Sequence, residues 1–307
     1  MDVLTDTAIH HVLSMSEAIS ALYAGYTCYD GADHNPPRTL LRVGEQGATF
    51  GIMPYYSMRD NLFIVKVVSH HVFNRRRGRK SINGLIVVQD GATGEVKAQL
   101  DAATITALRT GATAGLATDL LARKNSKTLA VIGTGDQAAA ALDAVLCVRD
   151  IGRVAVYSRS KDNVGNFIDH ATEKYGRRVV FHGCEDARAA LCGADIVCTA
   201  TTCAEPLFSA DDVAQGVHVN AIGKHTPVSR EFPLELVPRS ILLVEDREAA
   251  IREAGGYHRH AISIPEMLQA EQGEYQSQTT IFSSVGTAFQ DACICVAILK
   301  KLQLLKT

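Results

Sequence analysis

Between residues 128 and 245 short apolar runs alternate with longer segments whose apolar residues recur at helical spacing. TLAVIG (128–133), RVAVYS (153–158), RRVVFHG (177–183), DIVCTAT (195–201), VHVNAIG (217–223) and SILLVED (240–246) have the length and β-branched content of buried strands. DQAAAALDAVLCVRD (136–150), DNVGNFIDHATEKYG (162–176) and CEDARAALCGA (184–194) lie between the first of them. In the second of these helical segments Val164, Phe167, Ile168, Ala171 and Tyr175 share one face. Such alternation predicts an α/β unit, a parallel sheet wrapped by helices on both faces, which is the doubly wound nucleotide-binding architecture.

The first hundred residues have a different rhythm. A helix is expected over 14–30, and then three strand-like runs follow at 35–57, 61–73 and 83–101, broken by Gly, Pro, Asn and Asp. DGATGE (90–95) reads as a hairpin turn, so the pattern predicts an antiparallel sheet. Ile105, Leu108, Ala112, Leu116 and Leu120 mark a helix that leads into the nucleotide-binding region. A last helix over 283–303 is expected to return to the first domain, which makes that domain discontinuous. The boundaries predicted are 1–112 with 286–307 for the first domain and 113–285 for the second.

Composition removes several function classes. A formal charge of −2 on 307 residues provides no global field for nucleic acid or membrane. The run NRRRGRK (74–80) is basic but local and lacks interleaved aromatics, so it is read as a turn that could draw anionic substrates. No apolar run reaches the roughly 20 residues of a membrane span, and the acidic N-terminus lacks the long apolar stretch of a signal peptide. A cytoplasmic protein is expected. Eight scattered cysteines without a CxxC pair read as buried free thiols of a reducing compartment. His70 and His71 are adjacent on a strand and point to opposite faces, and GGYHRH (255–260) reads as a loop, so no metal site is expected.

The candidate chemistry begins at VIGTGDQAAA (131–140). Gly133-Thr134-Gly135, followed by Ala138, stands between a strand and a helix, where glycines let a backbone approach a pyrophosphate and the helix N-terminus offers free N–H groups. The second strand then ends in Tyr157-Ser158-Arg159-Ser160 where an NAD enzyme usually carries an acid for the ribose hydroxyls. Arg159 can instead pair with a 2′-phosphate, aided by Ser158 and Ser160, which favours NADP(H) over NAD(H).

Five segments together, PPRTLL, GIMPYYS, DAATITALRTGATAGLA with LAVIGTGDQA, VNAIGKHTP…RE and TTIFSSVGTAFQD, resemble the ornithine cyclodeaminase/mu-crystallin family over about residues 35–300. The resemblance implies a Rossmann-type domain plus an α+β domain that binds substrate and forms a homodimer through its sheet. It implies hydride transfer to or from the α-carbon of a small amino or imino acid. It assigns Arg38, Lys66 and Arg109 to the substrate carboxylate, Lys66 also to the reacting nitrogen, and Thr110 with Arg109 to the cofactor. A bidentate arginine fixes the plane of an acid, which lysine cannot do. The implied cofactor contacts further include Gln137, Ala200, Thr201, Ile222, Gly223, Val285 and Gly286. Two positions depart from the family. His225 stands where the cyclodeaminase has an aspartate, which favours the branch that reduces cyclic ketimines such as Δ1-pyrroline-2-carboxylate. An imidazole there could donate a proton to the imine nitrogen. Leu85 stands where relatives often carry a threonine near the nicotinamide. The expected activity is NADPH-dependent reduction of a cyclic imino acid, or its reverse. Ornithine cyclodeamination and non-catalytic NADPH binding are the alternatives.

Overall fold

The computed structural model describes residues 3–44, 47–270 and 275–305, leaving the side chains of 75, 76 and 276 outside the description. Residue contacts divide the chain into two units, Met1–Arg109 with Thr287–Thr307, and Thr110–Gly286.

The first unit is a six-stranded sheet with helices on one face. Its strands are β1 (Val3–Leu4), β2 (Thr39–Val43), β3 (Ala48–Ser57), β4 (Leu62–His71), β5 (Ile82–Asp90) and β6 (Val96–Asp101), in the order β1-β6-β5-β4-β3-β2. β2 to β6 pair antiparallel as expected, but β1 runs parallel to β6, so the sheet is mixed. Two residues are too few for a period, which is why β1 has no signature in the sequence. The long strands bury alternate residues: Met53, Lys66, Ile86 and Leu100 sit opposite one another in one inward row. Helices α2 (Met15–Thr27) and α9 (Ala288–Lys301) pack together, and α9 meets β3 and β4.

Helix α2 starts at a capping box, in which Ser14 Oγ accepts from Glu17 N–H at 3.4 Å and the Glu17 carboxylate accepts from Ser14 N–H at 2.9 Å. Its buried Met15, Ala18, Ile19, Leu22 and Tyr26 keep helical spacing. Truncating the fully buried Leu22 to alanine should cost roughly 2–5 kcal/mol. Before it runs the short α1 (Asp6–Val12), which the sequence pattern did not reveal. On the other face of the sheet Phe50, Ile52, Val67 and Leu85 are exposed, and Ile52, Val67 and Leu85 stand in one cross-strand row.

The second unit is an all-parallel sheet of eight strands. These are β7 (Thr128–Ile132), β8 (Arg153–Tyr157), β9 (Val180–Gly183), β10 (Ile196–Thr199), β11 (His218–Ala221), β12 (Ser240–Val244), β13 (Ile262–Ser263) and β14 (Thr279–Ser283), in the order β13-β12-β14-β11-β10-β7-β8-β9. β10, β11 and β14 are buried at every position, as strands covered on both faces must be. The order 3-2-1-4-5 of the strands from β7 to β11 is the Rossmann arrangement, with its switch point between β7 and β10. The sequence pattern joined residues 283–287 to the last helix and did not separate β14, which inserts between β11 and β12.

Helix α3 (Ala102–Leu121) contains the division between the units. Its C-terminal carbonyls, those of Thr118 and Ala122 at 2.8 and 2.9 Å, accept from the buried guanidinium of Arg149, just past α4 (Asp136–Val148). All eight cysteines are free, but only Cys198 and Cys295 are buried, and Cys28, Cys147 and Cys192 are exposed. The expectation of eight buried thiols is thus corrected: apolar neighbours in sequence do not fix which face of a helix a cysteine occupies.

Candidate active site

In the first unit the strand period turns Lys66 inward, among Ile64, Ile86 and Leu100, where it is 2% exposed. A charge in such a row needs a partner. Its Nζ lies 2.6 Å from Asp291 Oδ2 and 3.4 Å from the hydroxyl of Thr106. Asp291, 1% exposed, stands in the first turn of α9, whose capping box uses Thr287 and Gln290. The other carboxylate oxygen of Asp291 is 3.4 Å from Nε of Arg109, which α3 delivers at 7% exposure. Asp101 caps α3: its carboxylate accepts from the N–H and hydroxyl of Thr104, which fixes the helix start and hence the positions of Thr106 and Arg109.

Arg38, half-buried just before β2, lies within electrostatic reach of Lys66. Burial pushes the Lys66 ammonium down to about 8, against the pull of Asp291, and Arg109 and Arg38 push it the same way as burial. Lys66, Arg109 and Arg38 thus bring cationic groups together around Asp291, a chemistry that suits a bound carboxylate. Leu85 is on the opposite, exposed face of the sheet.

In the second unit the residues proposed for a cofactor gather at the carboxyl ends of parallel strands. Gly133 has φ +114°, and a Cβ there would stand 2.5 Å from the carbonyl oxygen of Ala200. Its N–H donates to the Tyr157 carbonyl at 2.8 Å, and the Ala200 N–H donates to Ile132 at the same distance, so the turn is stitched to β8 and β10. Gly135 is the N-cap of α4 and supplies no side-chain cap, so the first N–H groups of that helix have no side-chain acceptor. Gln137, in the first turn, has a buried Oε1 without a hydrogen-bond partner among the described residues. A crowded glycine turn and an uncapped helix start fit the pyrophosphate of a dinucleotide. Thr134 lies half-buried in the same turn, and Thr110 is buried in α3. After β8, Ser158 is half-buried, Arg159 is exposed, and Ser160 caps α5 (Lys161–Tyr175) by accepting from the Asn163 N–H at 3.3 Å.

Two buried glutamates, which the sequence reading missed, hold these loops. Glu231 accepts from the Thr199 hydroxyl at 2.9 Å, the Thr201 hydroxyl at 2.7 Å, the Thr201 N–H at 2.6 Å and the Gly223 N–H at 2.8 Å. It thereby ties Ala200-Thr201 to Ile222-Gly223, and Gly223 must lack a side chain because a Cβ would meet the carboxylate at 2.5 Å. Burial raises the Glu231 carboxyl above its ordinary range, and the four donors oppose that. Glu245, at the end of β12, accepts from Ser284 Oγ, from the Val285 N–H at 3.2 Å and from the Gly286 N–H at 3.1 Å. The available sequence signal was an acid closing an apolar run in SILLVED, and the RE of the 219–231 motif.

His225 follows Gly223, with its ring 5.6 Å from Phe232. Among the described residues neither ring nitrogen finds a hydrogen bond of good geometry. Burial pushes its pKa down to about 4, with His258 and Arg230 adding to the effect against the Gly223 backbone. Burial thus favours the neutral imidazole near pH 7. Of the basic run at 74–80, residues 74–77 form a 3-10 turn, and the side chains of 75 and 76 lie outside the described residues. Among the described residues no group of three or more His, Cys, Asp or Glu side chains is placed to hold a metal, and no helix is long and apolar enough to cross a membrane.

The model of the ornithine cyclodeaminase/mu-crystallin family matches residues 1–303. A Δ1-pyrroline-2-carboxylate reductase of Bacillus cereus is 34% identical over 280 residues, covering 87% of this chain and 85% of its own. Among solved structures, Thermococcus litoralis Δ1-pyrroline-2-carboxylate reductase in complex with NADH and L-proline superposes with a TM-score of 0.92 at 31% identity, covering 99% and 98% of the two chains. An archaeal alanine dehydrogenase dimer with bound NAD superposes at 0.87 with 29% identity, covering 98% and 95%.

Proposed function

The chain belongs to the ornithine cyclodeaminase/mu-crystallin family, and we propose that it reduces a cyclic 2-imino acid of the Δ1-pyrroline- or Δ1-piperideine-2-carboxylate type to the cyclic amino acid, with NADPH as reductant. The observation that carries this reading is the buried cluster of Lys66, Arg109 and Asp291 beside Arg38, whose cationic groups suit a substrate carboxylate.

Arg38 and Arg109 grip the carboxylate and fix the plane of the acid. Lys66, with a pKa near about 8, is protonated at neutral pH and can give its proton to the imine nitrogen. The nicotinamide, when bound, supplies the hydride that reduces the imine carbon. The glycine turn at 133–135 and the α4 N-terminus hold the pyrophosphate, and Glu231 and Glu245 keep the loops at 199–201, 223 and 284–286 in place around the dinucleotide. In the reverse direction neutral Lys66 is the base, so amino acid oxidation is favoured above about pH 8.

NADPH is preferred because Arg159 is exposed at the end of β8 and makes no ion pair among the described residues, so its guanidinium is available to a 2′-phosphate. The two solved relatives hold NADH or NAD, and the same turn admits NADH. Ornithine cyclodeamination is disfavoured because neutral His225 offers no negative charge to a substrate ammonium. A non-catalytic role is disfavoured by the retained cluster of charges at substantial desolvation cost. The exposed row of Ile52, Val67 and Leu85 is proposed as the face that a second copy of the chain covers, in keeping with the dimeric alanine dehydrogenase among its structural relatives.

The deciding experiment follows absorbance of NADPH and of NADH with Δ1-pyrroline-2-carboxylate, Δ1-piperideine-2-carboxylate and ornithine. Oxidation of NADPH by a cyclic imino acid is expected. Ammonia release from ornithine with no imino acid reduction would overturn the reading.

A further inference from the structure

We propose that Asp291 is the positioning residue that aims the Lys66 ammonium and keeps it charged as the proton donor to the imine nitrogen, leaving the substrate carboxylate to the two arginines. The inference rests on the imino acid reading above. Its basis is a geometry that carboxylate binding alone does not need. Lys66 is held from two sides, by Asp291 at 2.6 Å and by the Thr106 hydroxyl at 3.4 Å, so Nζ is fixed in an apolar row rather than left to follow a ligand. Asp291 also faces Arg109 at 3.4 Å through its other oxygen, so a single carboxylate sets the spacing of the proton donor and one carboxylate-binding arginine.

The groups that act on Lys66 come from three elements. Arg38 precedes β2, Arg109 lies on α3, and Asp291 lies on α9 with Cys295 one turn further, kept as a thiol by burial. Among the described residues Asp291 is the one anion of that set; burial and both arginines act to discharge the lysine. The start of α9 suits a carboxylate, because the N-terminal end of a helix favours negative charge. In the step itself the lone pair of the imine nitrogen takes a proton from Nζ, the Nζ–H bond breaks, and the resulting iminium returns its C=N π pair to nitrogen as the carbon is reduced. Lys66 is left as a neutral amine beside Asp291 and regains a proton from water.

The test is the pH dependence of kcat in Asp291→Asn. With the opposite charge gone, the basic limb of kcat, near pH 8 in the parent, is expected to move down by about one to three pH units. Activity lost at about pH 8 should then be partly regained at about pH 6. Asp291→Glu should keep the limb within about half a pH unit while altering kcat, because the charge stays and only the aim changes. An Asn variant whose kcat falls by one factor at every pH, or does not change, overturns the proposal. Asp291→Ser, read in the same way, replaces the Asn variant if that does not fold.

Independently of turnover, the 13Cε resonance of Lys66 can be titrated in the parent and in the variant. A lower midpoint in the variant supports the inference even if no imino acid proves to be a substrate, and equal midpoints overturn it. Failure of the function is thereby separated from failure of the Asp291–Lys66 coupling.

Discussion

The two units build polar sites by opposite means. In the first, side chains build the charged cluster: one row of a half-covered sheet admits Lys66, and two helices bring Arg109 and Asp291 to it. In the second, backbone forms the polar edge: a glycine turn and an uncapped helix start leave N–H groups open, and buried glutamates hold the neighbouring loops. Their sheets differ in the same sense. The second has strands buried on both faces, whereas the first leaves Phe50, Ile52, Val67 and Leu85 uncovered. A reacting centre needs charges in fixed positions, and a dinucleotide offers long polar edges that backbone can follow. We accordingly propose that turnover depends chiefly on the first unit and cofactor affinity on the second, and variants in either can break that division.

The largest expected effect is at Lys66. Lys66→Met should lower kcat by about 10²–10⁴-fold, the usual worth of a general acid, while the Kd for NADPH changes by less than about threefold. Fluorescence titration of NADPH beside steady-state kinetics checks both. Parallel losses in turnover and affinity would erase the division between the units. Next comes the open face of the first sheet. Ile52→Asp puts a charge in the row Ile52–Val67–Leu85 and should shift a dimer towards monomer, with the dissociation constant raised by about 10²-fold or more because an unpaired charge would be buried. Sedimentation equilibrium reads this, and an unchanged mass would exclude the face.

How much of this was legible depends on which residues interrupt a pattern. Lys66 interrupts FIVKVV and was visible as a charge that a strand would bury; Gly133 and Gly135 were visible because a strand precedes and a helix follows. Asp291 was not, since an acid in the first turn of a helix is common on surfaces, and its burial depends on partners in β4 and α3 far away in sequence. Glu231 and Glu245 were hidden in the same way: their donors come from other loops, so a local reading sees only an acid in a turn. The parallel doubly wound sheet followed from its alternating runs, but the insertion of β14 between β11 and β12 is a matter of tertiary packing with no local signature. The same holds for β1, whose two residues pair with the distant β6.

Within the second unit the next effect is at Arg159. Arg159→Ala should raise the KM for NADPH by about 10–100-fold and leave that for NADH nearly unchanged, because a charge-assisted contact is worth about 1.5–3 kcal/mol. Equal changes for both cofactors would take the 2′-phosphate away from Arg159. Glu231→Gln sets an amide N–H₂ against donors that now point at a carboxylate. The variant should weaken binding of either cofactor by about 10-fold and destabilise the fold by about 1–3 kcal/mol. Calorimetry and thermal unfolding measure the two, and lost turnover with unchanged cofactor affinity would contradict the assignment of Glu231 to the loops.

The smallest expected effect is at His225, and it bears most directly on where the proton comes from. Its ring has no well-formed hydrogen bond and lies against Phe232, and burial holds its pKa at about 4. Burial therefore favours the neutral ring between about pH 6 and 8. A shape-filling role predicts that His225→Asn lowers kcat by less than about threefold, the same at every pH, with KM for the imino acid carrying any remaining change. A proton-donating role predicts a loss near that of Lys66→Met, about 10²-fold or more. The pH profile separates the two even when the losses are similar in size. If Lys66 is the donor, the basic limb near about 8 persists without His225. If that limb disappears in the His225 variant, the donor is the histidine, and the reacting proton belongs to the second unit rather than the first.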